Sequence, residues 1–162
     1  MLEINIPNSI QKIIISNDVL ELFIKSKQIK KTQKEVGGQL FAKISQNEIS
    51  ILKTYLPNKY DKRTYNSFLP SRKKQMEEIY YSFPRGLHYV GDWHTHPEET
   101  PTPSNIDLDS MKECFVKSKH ELNNFILIIV GNSKIYLNLW VGLVNSREVI
   151  TIEHIKFATD QK

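Results

Sequence analysis

Two histidines separated by one residue, His94 and His96, are the first feature of this sequence that could do chemistry. They end the run HYVGDWHTH, whose composition predicts a strand, and on a strand residues i and i+2 point to the same face. Both imidazoles can therefore be directed at one point, which is a simple way to provide two metal ligands. The alternative is two ordinary polar positions on an exposed strand face, and an isolated H-x-H pattern favours that alternative.

A proline-rich loop follows the histidines and leads to a second candidate group. Pro97, Pro101 and Pro103 restrict the backbone, so the loop has little conformational entropy to lose on ordering. The loop ends at Ser104, which is typical of a helix N-cap, and Asp107 then occupies the third helical position. A plain capping box would explain both residues without any chemical function.

The periodicity of the following helix indicates that Asp107 does more than cap it. Asp107 lies four residues before Met111 and seven before Cys114, on the stripe that should face the core, whereas Asp109 falls toward solvent. A buried carboxylate is costly unless it is paired or bound to a metal, and a helix N-terminus favours negative charge. We therefore expect Asp107, not Asp109, to join the two histidines.

Two imidazoles and one carboxylate suit a catalytic zinc site with three protein ligands and one open position. Zinc lowers the pKa of a bound water to about 7, which provides hydroxide near neutral pH. Attack on an amide generates an oxyanion, which a hydrogen-bond donor beside the metal would stabilise. Ser104, next to Asp107 in the sequence, is the candidate donor.

Hydrophobic periodicity predicts the elements that must position these residues. The predicted strands are 11–16, 36–45, 48–56, 88–96 and three C-terminal segments, NFILIIVG, KIYLNLWVG and EVITIEHI; the predicted helices run from Asn17 or Asp18 to about Lys27, from Ser71 to about Tyr81 and from about Asn105 to Lys119. The segment 57–70 is expected to be irregular, with a short strand at TYNSF. This pattern predicts one α/β (α+β) domain over residues 1–162, with a mixed central β-sheet flanked by helices and a frayed tail at 158–162.

Strict alternation along the strand 88–96 also assigns its other side chains to faces. Val90 and Asp92 are predicted on the side of the histidines, and Tyr89 and Trp93 on the opposite side. Trp93 is therefore expected in the core. Cys114, on the apolar helix stripe, is likewise expected to be a core residue rather than a nucleophile.

Composition limits the class of protein. The chain has 162 residues, 40% of them hydrophobic, a net charge of +4 and a single cysteine. No apolar run approaches the roughly 18 residues that span a bilayer, so no membrane association is expected. The basic clusters 25–34, 59–63 and 72–74 lack the interleaved aromatics of a nucleic-acid motif and are interpreted as solvated faces. With no secretory signal and no possible internal disulfide, a cytoplasmic location is expected.

The spacing of the candidate residues resembles the zinc motif of the JAMM (MPN+, JAB-type) metalloproteases, which is H-x-H, seven residues, Ser, two residues and Asp. His94, His96, Ser104 and Asp107 match every position. The family also has an upstream E-x-x-G-x-L motif, and this chain contains EVGGQLFA from Glu35 onward. The final alanine stands where many members have glycine, which removes no chemical group.

This resemblance implies a cytidine-deaminase-like fold and a role for each matched residue. His94, His96 and Asp107 would bind Zn²⁺. Glu35 would accept a proton from the zinc-bound water and give it to the leaving amine, and Ser104 would donate to the oxyanion. Without the resemblance, Glu35 would be interpreted as a surface glutamate.

The resemblance also implies a substrate. Members of the family usually cut the amide bond between the C-terminal glycine of ubiquitin or a ubiquitin-like protein and a lysine, with the tail bound as an extended segment beside a strand. This small stand-alone chain resembles bacterial members found beside ubiquitin-like conjugation enzymes, some of them in CBASS-type antiphage defence, where the peptidase reverses the attachment of a nucleotide-synthase C-terminus. We expect the C-terminus of a ubiquitin-like or conjugated protein as substrate, and activating or conjugating enzymes encoded nearby.

Three alternatives are compatible with parts of this pattern. A peptidase that trims the tail of a sulfur-carrier protein would use the same chemistry on another substrate. A non-catalytic MPN scaffold would also share the fold, but such scaffolds typically lose metal ligands, and all five candidate residues are present here. An iron oxygenase can use two histidines and a carboxylate, but its usual spacing puts the carboxylate two residues from the first histidine.

Overall fold

The computed structural model describes residues 1–158, apart from the side chain of Glu153. Its elements are, in chain order, β1 (Leu2–Asn5), β2 (Lys12–Ile15), α1 (Asn17–Ser26), β3 (Gly37–Ile44), β4 (Glu48–Thr54), β5 (Lys62–Arg63), β6 (Phe68–Leu69), α2 (Arg72–Ser82), a 3₁₀ turn (Phe83–Arg85), β7 (His88–Thr95), α3 (Asn105–Lys117), β8 (Phe125–Val130), β9 (Tyr136–Val144) and β10 (Val149–Ala158). No helix in this part of the chain is long and apolar enough to cross a membrane.

Eight of the strands form one mixed sheet, in the order β1-β2-β4-β3-β7-β8-β9-β10, and β5 and β6 form a separate hairpin. The pairs β2–β4 and β7–β8 are parallel, and the other neighbouring pairs are antiparallel. Strand β8, FILIIV, is buried along its whole length. Such a continuous apolar run is expected of a central strand that is covered on both faces.

Helices cover both faces of this sheet. On one face Phe23 of α1 packs against Trp93, with 4.6 Å between ring centroids. On the other face Met111 of α3 packs with Phe125 and Trp140. The sheet is therefore the middle of three layers. The predicted fold class, a mixed central sheet flanked by helices, is confirmed, as is the burial of Trp93 in the core.

Three predicted boundaries differ from the structure. No strand is predicted before residue 11, but Leu2–Asn5 pairs with β2; two apolar residues in a four-residue edge strand are too weak a pattern to detect. The predicted strand TYNSF is mostly the turn between β5 and β6, closed by a hydrogen bond from the Thr64 N–H to the Ser67 carbonyl. Of the predicted frayed tail, Ala158 ends β10 and the rest lies outside the described residues.

Strand β7 departs from strict alternation at Val90. Its pairing with β3 skips this residue, and the next one, Gly91, has a φ of 146°. As a result Val90 packs in the core with Trp93, while Tyr89 lies on the face of Asp92 and donates a hydrogen bond to it. The predicted faces of Val90 and Tyr89 are therefore wrong, because an extra residue in a bulge reverses the alternation beyond it.

Gly91 is the residue that this bulge requires. A Cβ there would lie 1.8 Å from the Ile126 carbonyl oxygen on β8, in a backbone conformation that other residues rarely adopt. We expect Gly91→Ala to lower the free energy of unfolding by about 3 kcal/mol or more, from strain and displaced backbone together. Gly86→Ala is the matched control, since Gly86 has a φ of 72° with open space around it, and should cost only about 1 kcal/mol. Urea unfolding of both variants measures the difference, and equal losses would contradict this role of Gly91.

Candidate metal centre

The pairing of β3 with β7 brings residues from the two strands together. Gly37 lies opposite His94 in this antiparallel pair, so Glu35, two residues earlier, reaches the end of β7. The pairing continues past the strand end, because the Thr95 N–H donates to the Val36 carbonyl at 2.8 Å. The upstream glutamate and the histidine strand are thus joined by sheet hydrogen bonds.

The proline-rich loop after β7 is held against β9 and the connection that precedes it. The Asn132 N–H donates to the Glu98 carbonyl at 2.8 Å, and Asn138 Nδ2 donates to the Glu99 carbonyl at 2.7 Å. These contacts give the loop one path across the end of the sheet. The loop delivers Ser104 to the start of α3.

Ser104 and Asp107 form the predicted capping box. The Ser104 N–H donates to Asp107 Oδ2 at 2.7 Å, and the Asp107 N–H donates to Ser104 Oγ at 3.1 Å. The same carboxylate faces both imidazoles, with Oδ1 3.2 Å from His94 Nε2 and Oδ2 3.3 Å from His96 Nε2. Capping and contact with the histidines are therefore compatible roles for Asp107.

The separations within this cluster fit a zinc site. His94 Nε2 and His96 Nε2 are 3.1 Å apart, and each lies 3.2–3.3 Å from an Asp107 oxygen. Neighbouring ligand atoms of a tetrahedral site with metal–ligand distances of about 2.0–2.1 Å are about 3.3 Å apart. Two imidazole lone pairs this close repel each other unless a proton or a cation lies between them. The donor set therefore suits a cation held by these three residues.

Glu35 lies slightly further out. Its Oε1 is 3.5 Å from His96 Nε2 and 3.9 Å from His94 Nε2. Glu35, His94 and His96 form a group of ligand types, within the described residues, whose atoms all lie within 4.8 Å of one another. The cluster is thus compatible with a metal, and its spacing makes Asp107 a closer third donor to the imidazoles than Glu35.

Burial and neighbouring charges shift the pKa values of Glu35 and Asp107 in opposite directions. Burial raises the pKa of Glu35, although the nearby charges of His94 and His96 oppose this. Burial would also raise the pKa of Asp107, but the hydrogen bonds from the two imidazoles outweigh it, and the pKa lies well below its ordinary value. Burial lowers the pKa of His96, and its hydrogen bond to Asp107 reverses this to a net rise. Asp107 is therefore the fixed anion and Glu35 the carboxylate nearer to accepting a proton.

The β5–β6 hairpin holds the main chain of Glu35. Arg63 Nε donates to the Glu35 carbonyl at 2.6 Å, and its Nη2 donates to the Lys34 carbonyl at 3.3 Å. The Glu35 N–H donates to the Thr64 carbonyl at 2.8 Å. Both backbone groups of Glu35 are thus bound by one short hairpin.

A buried side-chain network supports the same region. Thr95 Oγ1 accepts the Val36 N–H at 3.0 Å and donates to Gln28 Oε1 at 2.7 Å, and Gln28 Nε2 donates to the Tyr65 carbonyl at 2.8 Å. Sequence reasoning does not identify Thr95, Gln28 or Arg63, because each acts through partners that are far away in the sequence. No spacing signal could have found them.

A groove of about 650 Å³ starts at the metal centre and runs between α2 and α3 over the β3 and β7 strands. Its lining includes Ser104, Asp92 and Tyr89. Burial raises the pKa of Asp92 to about 6, against the lowering effect of its hydrogen bond from Tyr89. Cys114, predicted to be a core residue, packs at the edge of the core, also lines the groove and lies 3.5 Å from the Tyr89 hydroxyl.

Comparisons with known proteins identify the family and the fold of the chain. A family profile described as prokaryotic homologues of the JAB domain matches residues 17–141. A CD-NTase/cGAS isopeptidase of Pseudomonas aeruginosa is 27% identical over 130 residues, which are 78% of this chain and 82% of that protein. The protein of the same name from Escherichia coli is 26% identical over 133 residues, covering 80% of each chain. The solution structure of DSY2949 from Desulfitobacterium hafniense shares the fold, with a TM-score of 0.65 at 16% identity over 88% of this chain and 91% of that one.

Metal content tests the role of Asp107. We expect the purified protein to bind zinc in equimolar amount, and Asp107→Ala to lose it because one of three donors is gone. Asp109→Ala, on the exposed side of the same helix, should keep full occupancy. The capping bond lost in Asp107→Ala costs about 1 kcal/mol, so circular dichroism should still show a folded protein. Equal zinc in both variants, measured by elemental analysis, would exclude Asp107 as a ligand.

Unfolding experiments test the Thr95 network. Thr95→Val keeps the shape of a fully buried side chain but leaves the Val36 N–H and the Gln28 side chain without this partner. We expect a loss of about 2–4 kcal/mol in the free energy of unfolding, since each unsatisfied buried group costs about 1–3 kcal/mol. Thr102→Val, at an exposed position, should change it by less than about 0.5 kcal/mol. A similar small change at Thr95 would refute this role of the hydroxyl.

Proposed function

The chain belongs to the family of prokaryotic homologues of the JAB domain, and from this premise we propose that it is a zinc-dependent isopeptidase. It would hydrolyse the amide bond after the C-terminal residue of a conjugated protein. The observation that carries this proposal is the meeting of His94, His96, Asp107 and Glu35 within 3.1–3.9 Å at one end of an open groove.

The metal chemistry and the acid–base chemistry belong to different residues of this cluster. His94, His96 and Asp107 would hold the ion, which the low pKa of Asp107 favours because its carboxylate stays ionised. A zinc ion supplies a Lewis acid that lowers the pKa of water and polarises a carbonyl group. The three donor side chains are only 12–17% exposed, so they are partly shielded from solvent at the end of the groove.

Glu35 would move the proton. Its Oε1 lies within 3.5–3.9 Å of both imidazole nitrogens, so it can reach a water molecule that approaches the same point. Burial raises its pKa, which brings it closer to the working pH of a general base that later acts as an acid. It would accept the proton of the attacking water and deliver it to the leaving amine. The bonds from Arg63 and Thr64 to its backbone hold it in position.

Ser104 would stabilise the oxyanion. Its Oγ accepts the Asp107 N–H, which uses a lone pair but not the hydroxyl hydrogen. That hydrogen remains available for a developing negative charge in the groove, which Ser104 lines. The N-cap and the oxyanion donor can therefore be the same residue.

The named relatives support one substrate class. Both are CD-NTase/cGAS isopeptidases, so the proposed substrate is a CD-NTase-type nucleotidyltransferase attached through its C-terminus to an amine of another protein. The proposed context is CBASS-type antiphage defence, with activating and conjugating enzymes that form the bond. Ubiquitin-like proteins and sulfur carriers are the alternative substrates. A non-catalytic scaffold is disfavoured because all five groups needed for catalysis line one site.

Cleavage assays test this proposal. Three fusions, each with a reporter joined by an amide to the C-terminal residue, would carry a CD-NTase, a ubiquitin-like protein or a sulfur carrier. We expect the zinc-loaded protein to cut the CD-NTase fusion fastest. Mass spectrometry should show that the bond cut is the amide that follows the native C-terminal residue. Glu35→Ala should lose at least about 10²-fold in kcat, the usual contribution of a general base, while keeping its zinc.

The exposed Glu48→Ala serves as the matched control and should retain full activity. Wild-type rates in zinc-loaded Glu35→Ala would remove the proton-transfer role. No cleavage of any of the three fusions by the zinc-loaded wild-type protein would overturn the isopeptidase proposal.

A further inference from the structure

The floor of the groove carries a carboxylate, Asp92, that has no ion-pair partner in the described part of the chain. Asp92 lies two residues before His94 on the same face of β7, and the Tyr89 hydroxyl donates to its Oδ1 at 3.1 Å. Among the residues that the structure describes, no Lys, Arg or His side chain forms an ion pair with Asp92. The carboxylate of Asp92 therefore lies at the groove with one hydrogen bond, from the neutral Tyr89 hydroxyl.

The cations around the groove are placed elsewhere. Lys74 of α2 is bound between Glu78 at 3.2 Å and Asp61 at 3.1 Å, so its charge is already shared by two acids. Arg72 and Lys117 line the groove, but Lys117 pairs with Glu113 and, within the described residues, Arg72 forms no ion pair with Asp92. A cation in direct hydrogen-bond contact with this carboxylate would therefore be supplied by a bound molecule.

The surroundings of Asp92 favour a long basic side chain as that molecule. Met111 and Leu127 both line the groove, and Leu127 lies opposite Asp92 in the pairing of β7 with β8. The aliphatic stem of a lysine or arginine can pack on such apolar surface while its head group meets an acid. A partly desolvated carboxylate gains most from a charge-assisted hydrogen bond, because it has lost water and none of the described basic side chains is bonded to it.

The distance along β7 sets the position of this side chain in the substrate. Extended chains rise about 3.3 Å per residue, so Asp92 lies about 7 Å along the strand from His94. If a substrate tail runs along the groove with its C-terminal residue at the metal centre, the residue two positions earlier lies beside Asp92. The amine side of an isopeptide bond is a single lysine whose nitrogen is uncharged in the amide, so it does not supply this cation.

We propose that Asp92 is a specificity-determining residue that binds a lysine or arginine side chain two positions before the C-terminal residue of the conjugated protein. This inference rests on the proposed function for the direction of the tail. It adds to the proposed reaction a substrate class, namely tails with a basic residue at that position.

Peptide binding tests the subsite without any cleavage. The probes are three fluorescent six-residue alanine peptides that end in glycine and carry arginine, glutamine or glutamate third from the end. We expect the zinc-loaded protein to bind the arginine peptide about tenfold more tightly than the glutamine peptide, the effect of one paired charge. Asp92→Asn, which keeps an acceptor for Tyr89, should reduce this ratio to less than twofold. Asp109→Asn, on the exposed face of α3, should leave it unchanged.

A charge-reversal variant of Asp92 provides a second, independent test. Asp92→Lys should prefer the glutamate peptide, a gain that mere damage to the fold would not produce. An arginine preference that survives in Asp92→Asn, or no preference in the wild-type protein, would overturn the subsite.

Cleavage of fusions that differ only at this position separates the two proposals. We expect kcat/KM to follow the peptide affinities, with the change mainly in KM. Charge-dependent binding without cleavage of any fusion would leave the subsite standing and remove the isopeptidase. Cleavage at the same rate whatever the charge at this position would remove the subsite and leave the isopeptidase proposal standing.

Discussion

Two hydrogen bonds between Val36 and Thr95 are the contact on which the rest of the site depends. The Thr95 N–H binds the Val36 carbonyl, and the Val36 N–H binds Thr95 Oγ1. They join the residue after Glu35 to the residue between the two histidines. A shift of β3 along β7 by one residue would turn side chains to opposite faces, so this pair sets the distance of Glu35 from both imidazoles.

The carboxylate of Asp107 both caps its own helix and contacts the two histidines of a distant strand. Its backbone and one oxygen complete the capping box with Ser104, and both oxygens face an imidazole. The partial positive charge of a helix N-terminus favours the ionised form. The first turn of α3 therefore presents an anion to the histidines, and a metal bound there would be held by elements from two layers of the fold.

The β5–β6 hairpin connects the groove with Glu35. Arg63 and the Thr64 carbonyl hold the main chain of Glu35, while Phe68 of the second strand lines the groove. A substrate tail that contacts the hairpin would thus touch the element that positions the proposed base. The bulge in β7 serves the same groove, since it brings Tyr89 to the face of Asp92.

The sequence by itself determined the features that depend on local geometry: His94 and His96 on one strand face, Ser104 and Asp107 as a capping box, and the apolar strands of a mixed sheet. Strand and helix periods follow from neighbouring residues alone, so these features can be predicted. Glu35 was identified only through a family resemblance, since nothing in its own surroundings in the sequence distinguishes it from a surface acid. Its burial, the bulge that exchanges Val90 and Tyr89, and the supporting bonds of Gln28 and Arg63 were decided by the tertiary structure. Those bonds join residues 28 to 67 positions apart, and only the complete fold brings such partners within hydrogen-bond distance.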